Sequence, residues 1–206
     1  MGEEHIQAAG EDRATLDALG RLDEITRRLR LECPWDREQD ERSIVPHTVE
    51  EAYELADAAH SGDDAKLLDE LGDVLFQVYF LSLLLEERGQ GSLAEVAEHC
   101  RAKLIRLHPH VFGDREAETA GDVVRNWNQI KRDDERGGEI FGEIPETLPS
   151  TLYAKKILKR AADAGHENEP SDILLAAVKQ VVVSGEDPEL ALRRAADEYR
   201  RQVEAE

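Results

Sequence analysis

Apolar residues recur at helical spacing near the start of the chain, where Leu16, Leu19, Leu22, Ile25 and Leu29 share one face and predict a helix ending near Leu31. The following ECPWDREQDERS contains Pro34 and no sustained apolar period, so it reads as a connecting loop. A second helix is expected from about Ile44 to His60, with Val45, Val49, Ala52, Ala56 and Ala59 on its apolar side and the acids opposite. Ser61 and Gly62 end it, and Asp63 or Asp64 can cap a third helix that reaches about Arg88 and is apolar on nearly every side, LLDELGDVLFQVYFLSLLL. A fourth helix is expected to stop at His108-Pro109, because the residue before a proline disfavours the α region, and a fifth should run from Asp122 to Arg136. Gly137-Gly138 and GEIPETLP read as a linker, followed by helices near residues 150–164, 171–184 and 188–203. No segment alternates with period two, so the expected fold class is all-α, a helical bundle. The expected organisation is an acidic tail over residues 1–12, a first helical domain over 13–138 and a C-terminal helical appendage over 139–206.

Two carboxylates interrupt the third helix. Glu70 and Asp73 stand one turn apart among Leu67, Leu71, Val74, Phe76 and Phe80, with Gln77 continuing their stripe. No basic residue follows on that helix between Lys66 and Arg88, so local ion pairing does not compensate them. An isolated buried charge costs several kcal/mol, roughly, which requires a partner, a proton or a metal. On the second helix, Glu50 and Glu54 lie nearly above one another and Glu51 sits about 60° beyond Glu54, so the three share a flank. If the two helices form an antiparallel hairpin around Ser61-Gly62, Glu51 and Glu54 face Glu70 and Asp73. Such an all-oxygen set suits hard divalent cations, and Mg²⁺ in particular combines carboxylates with water and substrate phosphates. Taken alone, EExxE also fits a solvated acidic face; the apolar surroundings of ExxD favour the metal reading. A di-iron site wants Glu-x-x-His pairs, and no histidine here has a glutamate three residues earlier.

Composition narrows the partners. The 206 residues include 46 Asp and Glu against 26 Lys and Arg, a formal net charge of -20, which argues against binding nucleic acid through a general basic surface. Cys33 and Cys100 are far apart and lack metal-knuckle companions, in keeping with reduced thiols. MGEEHIQAAGEDRA has no signal-peptide pattern, and the run from Val74 to Leu85 is shorter than the roughly 20 residues a membrane span needs. A cytoplasmic protein without membrane or nucleic-acid partners is expected.

EEAYE followed by ELGD resembles the EExxE…ExxD signature of all-α nucleoside triphosphate pyrophosphohydrolases. CPWDREQ at Cys33–Gln39, KLIRLHPHVFGD at Lys103–Asp114 and WNQIK at Trp127–Lys131 narrow the resemblance to the MazG family, over about residues 14–164. The resemblance implies cleavage of a nucleoside triphosphate between its α and β phosphates, releasing a monophosphate and pyrophosphate, in nucleotide pool cleaning and with broad base tolerance. By the family pattern Glu51, Glu54, Glu70 and Asp73 hold Mg²⁺, with Mn²⁺ as a substitute ion, and Glu50 holds or activates the attacking water. Lys103 and Arg106, one turn apart, then serve catalysis and hold phosphates together with His108, His110, Lys131 and Arg132, while Trp35 and Trp127 are candidates to stack on the base. For these residues the alternatives are a solvated helix face, a helix-capping loop and core packing respectively. Where many relatives carry two basic residues before HPHVF, this chain has Arg106 and Leu107. Glu169-Pro-Ser-Asp172 followed by ILLAAV echoes Glu70-Leu-Gly-Asp73 followed by VLFQV, so residues 139–206 are a packing appendage or a degenerate repeat, and one catalytic unit per chain is expected. The family resemblance further implies an intertwined homodimer. The alternatives are a hydrolase restricted to dCTP or dUTP, and a non-catalytic acidic helical protein that senses nucleotides.

Overall fold

The computed structural model describes residues 2–134, 139–166 and 168–204; the side chains of residues 2–12 and 132–134 are outside that description. Helices are the only regular elements among the described residues, as expected of an all-α chain. They are α1 (Gly2–Glu32), α2 (Pro34–Glu38), α3 (Glu41–Ser61), α4 (Asp64–Glu87), α5 (Leu93–Leu107), α6 (Pro109–Phe112), α7 (Ala120–Asp134), α8 (Ser150–Asp163), α9 (Ile173–Val183) and α10 (Pro188–Glu204). The chain forms two compact units, Met1–Lys103 and Leu104–Glu206. The boundary expected at residue 138 and the Gly137-Gly138 pair lie outside the described residues.

In the first unit the dominant pairing is the α3–α4 hairpin. Asp40 starts α3, its carboxylate accepting from the Arg42 and Ser43 N–H groups at 2.9 and 2.8 Å while its own N–H donates to Ser43 Oγ at 2.9 Å. Gly62 ends α3 at φ 72°, a left-handed conformation that a Cβ would strain, and Asp63 then caps α4 by accepting from Ala65 and Lys66 N–H.

The face that α3 buries differs from the one its hydrophobic pattern predicts. Val45 and Val49 are about half exposed, whereas Ile44 and Ala58 are buried. Ile44, Thr48, Glu51, Leu55 and Ala58 follow one another at helical spacing, so the packed stripe passes through a polar and an acidic position. The α4 side chains divide likewise: Glu70, Gln77, Tyr79, Phe80, Leu83 and Leu84 are buried, but Leu68, Leu71, Leu75 and Val78 form an exposed stripe. Ile44, Phe80 and Leu84 make the driest cluster, with Phe76 and Leu81 packed against it.

The α1 helix begins at Gly2, well before the Leu16–Leu29 stripe, and no proline interrupts residues 1–12 to stop it. Two arginines bind α1 to the end of α4: Arg27 makes a two-pronged ion pair with Glu86 at 3.0 and 2.7 Å, and Arg30 another with Glu87 at 2.9 Å on both prongs. Arg30 also donates to the Asp36 and Gln39 carbonyls, which pins CPWDREQ in place. That segment is therefore ordered as the single-turn helix α2, with Pro34 at its first position, where a loop is expected from its lack of apolar period.

In the second unit α8, α9 and α10 pack on one another. Lys155 on α8 pairs with Asp187 before α10 at 2.5 Å, and Asn128 on α7 donates to Asp163 on α8 at 2.9 Å. Asp172 caps α9 through the Leu174 and Leu175 N–H groups, and Glu169 pairs with Lys179 at 2.9 Å. Both acids of the sequence echo are thus used locally, in a cap and an ion pair.

The Asp40 cap carries a pH signature. Hydrogen bonds from the Ser43 and Arg42 N–H groups hold its carboxyl below the usual aspartate range. A depressed folded-state pKa stabilises above the unfolded value, and that contribution disappears as pH falls through the folded value. Asp40→Ala is therefore expected to lower the Tm at neutral pH, with the gap to wild type narrowing in acid; scanning calorimetry across pH checks this.

Candidate active site

The hairpin places acids from both helices against each other. Glu51 on α3 and Glu70 and Asp73 on α4 each offer one carboxylate oxygen within 4.8 Å of the others. Antiparallel packing explains this, because stepping up α3 by a turn corresponds to stepping down α4 by a turn. Thr48 Oγ1 donates to Gln77 Oε1 across the hairpin, and successive helical turns from that pair bring Glu51 level with Asp73 and then Glu54 level with Glu70.

Burial and this crowding act in one direction. Burial foremost, then the charges of Asp73, Glu54, Glu70 and Glu50, raise the Glu51 carboxyl above the ordinary glutamate range. Burial and the Glu54 charge likewise raise Glu70, with Lys66 opposing. Glu70 is the buried member and Asp73 is exposed, although both stand among apolar residues in the sequence. Asp73 lies on the side of α4 that opens to solvent, so an ion held here keeps room for water or a ligand on one side. The donor chemistry fits a hard divalent cation: the site offers carboxylate oxygens only, and burial together with neighbouring acids raises Glu51 and Glu70, a penalty that a cation would relieve.

Glu54 and Glu50 are exposed on the same flank of α3. Glu50 Oε2 lies 3.3 Å from His47 Nδ1, one turn earlier, and the Trp35 ring meets His47 edge-on with centroids 5.7 Å apart. Half of Trp35 is exposed, so its indole is a rim residue and not core. His47 was not among the residues singled out from sequence; its position three residues before Glu50 is the signal that finds it. Lys103 is exposed at the end of the first unit.

The second unit carries the other candidates. Arg106 is exposed near the end of α5, and Leu107 is buried and serves packing. His108 precedes Pro109 and its Nδ1 lies 2.6 Å from the Leu104 carbonyl, as a helix-capping loop requires. Its ring meets Trp127 edge-on at 5.1 Å and tilts against His110 at 5.5 Å. Trp127 Nε1 and His110 Nδ1 are both buried without a hydrogen-bond partner among the described residues, so within these residues the aromatic cluster has unmet polar capacity. Lys131 is half-buried one turn beyond Trp127, while the Arg132 side chain lies outside the described residues. Among the described residues no helix is long and apolar enough to cross a membrane.

The MazG nucleotide pyrophosphohydrolase domain matches residues 39–112, which span α3, α4, α5 and the HPHVF turn. The chain is 32% identical over 225 residues to the nucleoside triphosphate pyrophosphohydrolase of Escherichia coli K12, covering 90% of this chain and 86% of that one. It is 32% identical over 197 residues to the nucleoside triphosphate pyrophosphohydrolase/pyrophosphatase MazG of Thermotoga maritima, covering 81% and 76%, respectively. An uncharacterised 26.1 kDa protein of Streptomyces cacaoi is 38% identical over 192 residues, 88% of this chain and 79% of that one. The acid-bearing hairpin and the long alignments lead to one conclusion: the chain belongs to the MazG nucleotide pyrophosphohydrolase family.

Proposed function

We propose that this chain hydrolyses nucleoside triphosphates between the α and β phosphates, in a Mg²⁺-dependent reaction that releases a monophosphate and pyrophosphate. The observation that carries this reading is the convergence of Glu51, Glu70 and Asp73 oxygens within 4.8 Å. These three, with Glu54 beside Glu70, would hold Mg²⁺, and Mn²⁺ would serve as a substitute. When bound, the metal supplies Lewis-acid stabilisation of phosphate oxygens and lowers the pKa of water. Glu50 stands at the exposed edge of the acid flank, suited to orient a water and accept its proton. Lys103, Arg106 and Lys131 carry the positive charge that the phosphates of a polyanionic substrate require. Trp35 and Trp127 offer ring surfaces that stack on any base, which supports broad base tolerance and a role in cleansing the nucleotide pool; stacking alone discriminates poorly among bases.

A homodimer is part of the proposal. Leu68 is 74% exposed and Leu71 49%, and with Leu75 and Val78 they form one apolar stripe along α4. A stripe of that kind on a helix inside a bundle protein calls for a covering helix, and a second copy supplies one with self-complementary contacts. Sedimentation of the wild-type chain is expected to give a dimer at micromolar concentration, and Leu71→Glu with Leu75→Glu should shift it to monomer. A monomeric wild type would reject the dimer.

Activity is checked by assaying common and damaged triphosphates for pyrophosphate release, with and without Mg²⁺. Wild type is expected to release pyrophosphate from several bases and to fall silent on chelation. Glu51→Gln and Asp73→Asn should each lower turnover by about 100-fold or more with helical content preserved. Orthophosphate as the sole product would refute the bond assignment, and strict preference for dCTP or dUTP would select the base-restricted alternative.

A further inference from the structure

The hairpin interface is graded along its length. At one end Ile44 and Phe80 pack in a dry layer; beyond them come Thr48 and Gln77, then Glu51 and Asp73, then Glu54 and Glu70. Each step is one helical turn up α3 and one turn down α4. The second layer is the only neutral polar one, and it sits between the apolar cluster and the acids.

Its hydrogen bond runs between helices. The Thr48 hydroxyl donates to Gln77 Oε1 at 3.2 Å, with the Ile44 carbonyl 3.4 Å away as a second acceptor. Gln77 is 4% exposed, so a change of register would bury its carbonyl oxygen without this donor. An apolar layer tolerates sliding, because any apolar neighbour of similar size will serve, whereas a directional bond between two buried polar atoms does not. The acid pair one turn away repels itself, so it cannot hold its own spacing without a cation.

We propose that Thr48 and Gln77 are positioning residues: their hydrogen bond sets the register and spacing at which Glu51 faces Asp73 and so prepares the oxygen cluster for a divalent ion. This rests on the metal reading of that cluster. It assigns to the polar layer a role that neither the acid motif nor the apolar pattern contains. Thr48 and Gln77 touch neither substrate nor metal, and act through the two helices that bear the ligands.

The test is Mn²⁺ binding to the full chain followed by electron paramagnetic resonance, beside metal-free melting. Thr48→Val and Gln77→Leu keep the side-chain volume and remove one partner each. Each is expected to weaken Mn²⁺ binding about fivefold. The double variant should lose no more than either single one, because the same bond is removed, and Thr48→Ser, which keeps the hydroxyl, should restore wild-type affinity. The double variant leaves no buried polar atom unpaired, so it is the informative protein if a single one fails to fold. Wild-type affinity in the double variant, additive losses in the singles, or a Thr48→Ser as weak as Thr48→Val would each overturn the proposal. Binding retained by all these variants but lost in Asp73→Asn would overturn it alone; no Mn²⁺ binding by the wild type would overturn the metal reading as well.

Discussion

Repulsion among carboxylates packed between two helices is the constraint around which this protein is built. Glu51, Glu70 and Asp73 present oxygens within 4.8 Å of one another, and Glu54 adds its charge to Glu70. Without a cation, that arrangement opposes folding, as the raised carboxyls of Glu51 and Glu70 record. Something other than the acids must hold α3 against α4. The opposite end of the interface does so, through Ile44, Phe80 and Leu84 and through caps that define where each helix starts.

The remainder of the first unit reinforces that end. Arg27 and Arg30 reach from α1 to Glu86 and Glu87 at the last turn of α4, and the Arg30 guanidinium lies over the Phe80 ring with its carbon 5.9 Å from the centroid. The same Arg30 holds the Asp36 and Gln39 carbonyls, so CPWDREQ, the core cluster and α4 are fastened by one side chain. Trp35 then rests against His47, and His47 against Glu50. Order thus passes from the stable end of the hairpin to its acidic flank through a short chain of contacts.

This division explains what was legible in the sequence. Helix identity and most boundaries were readable, because breakers such as Gly62 and the His108-Pro109 step and caps such as Asp63 act locally. The approach of Glu51 to Glu70 and Asp73 was readable too, from their spacing on two helices around a tight turn, whereas Glu54, expected at the same point, lies outside that oxygen cluster and is exposed. Which face of α3 is buried was not: the sequence favours the apolar stripe of Val45 and Val49, yet the stripe of Ile44, Thr48 and Glu51 packs against α4. Hydropathy finds the core only where the core is apolar, and here part of the interface consists of acids. Nor did the apolar neighbours shared by Glu70 and Asp73 distinguish the two, of which only Glu70 is buried. CPWDREQ appeared as a loop because its order comes from Arg30, a residue outside it.

Assigning an interface to acids also displaces the apolar residues that would otherwise fill it. Val45 and Val49 on α3, and Leu68, Leu71, Leu75 and Val78 on α4, remain on outer faces of the hairpin. A fold of this size has little spare core, so such surface is a cost to the isolated chain and a driving force for association at about 25 cal/mol per Å² removed from water. The proposed second copy and the proposed metal then answer the same deficit from two sides. A cation would relieve the charge trapped between the helices, and a partner would cover the apolar faces that the trapped charge pushed outward.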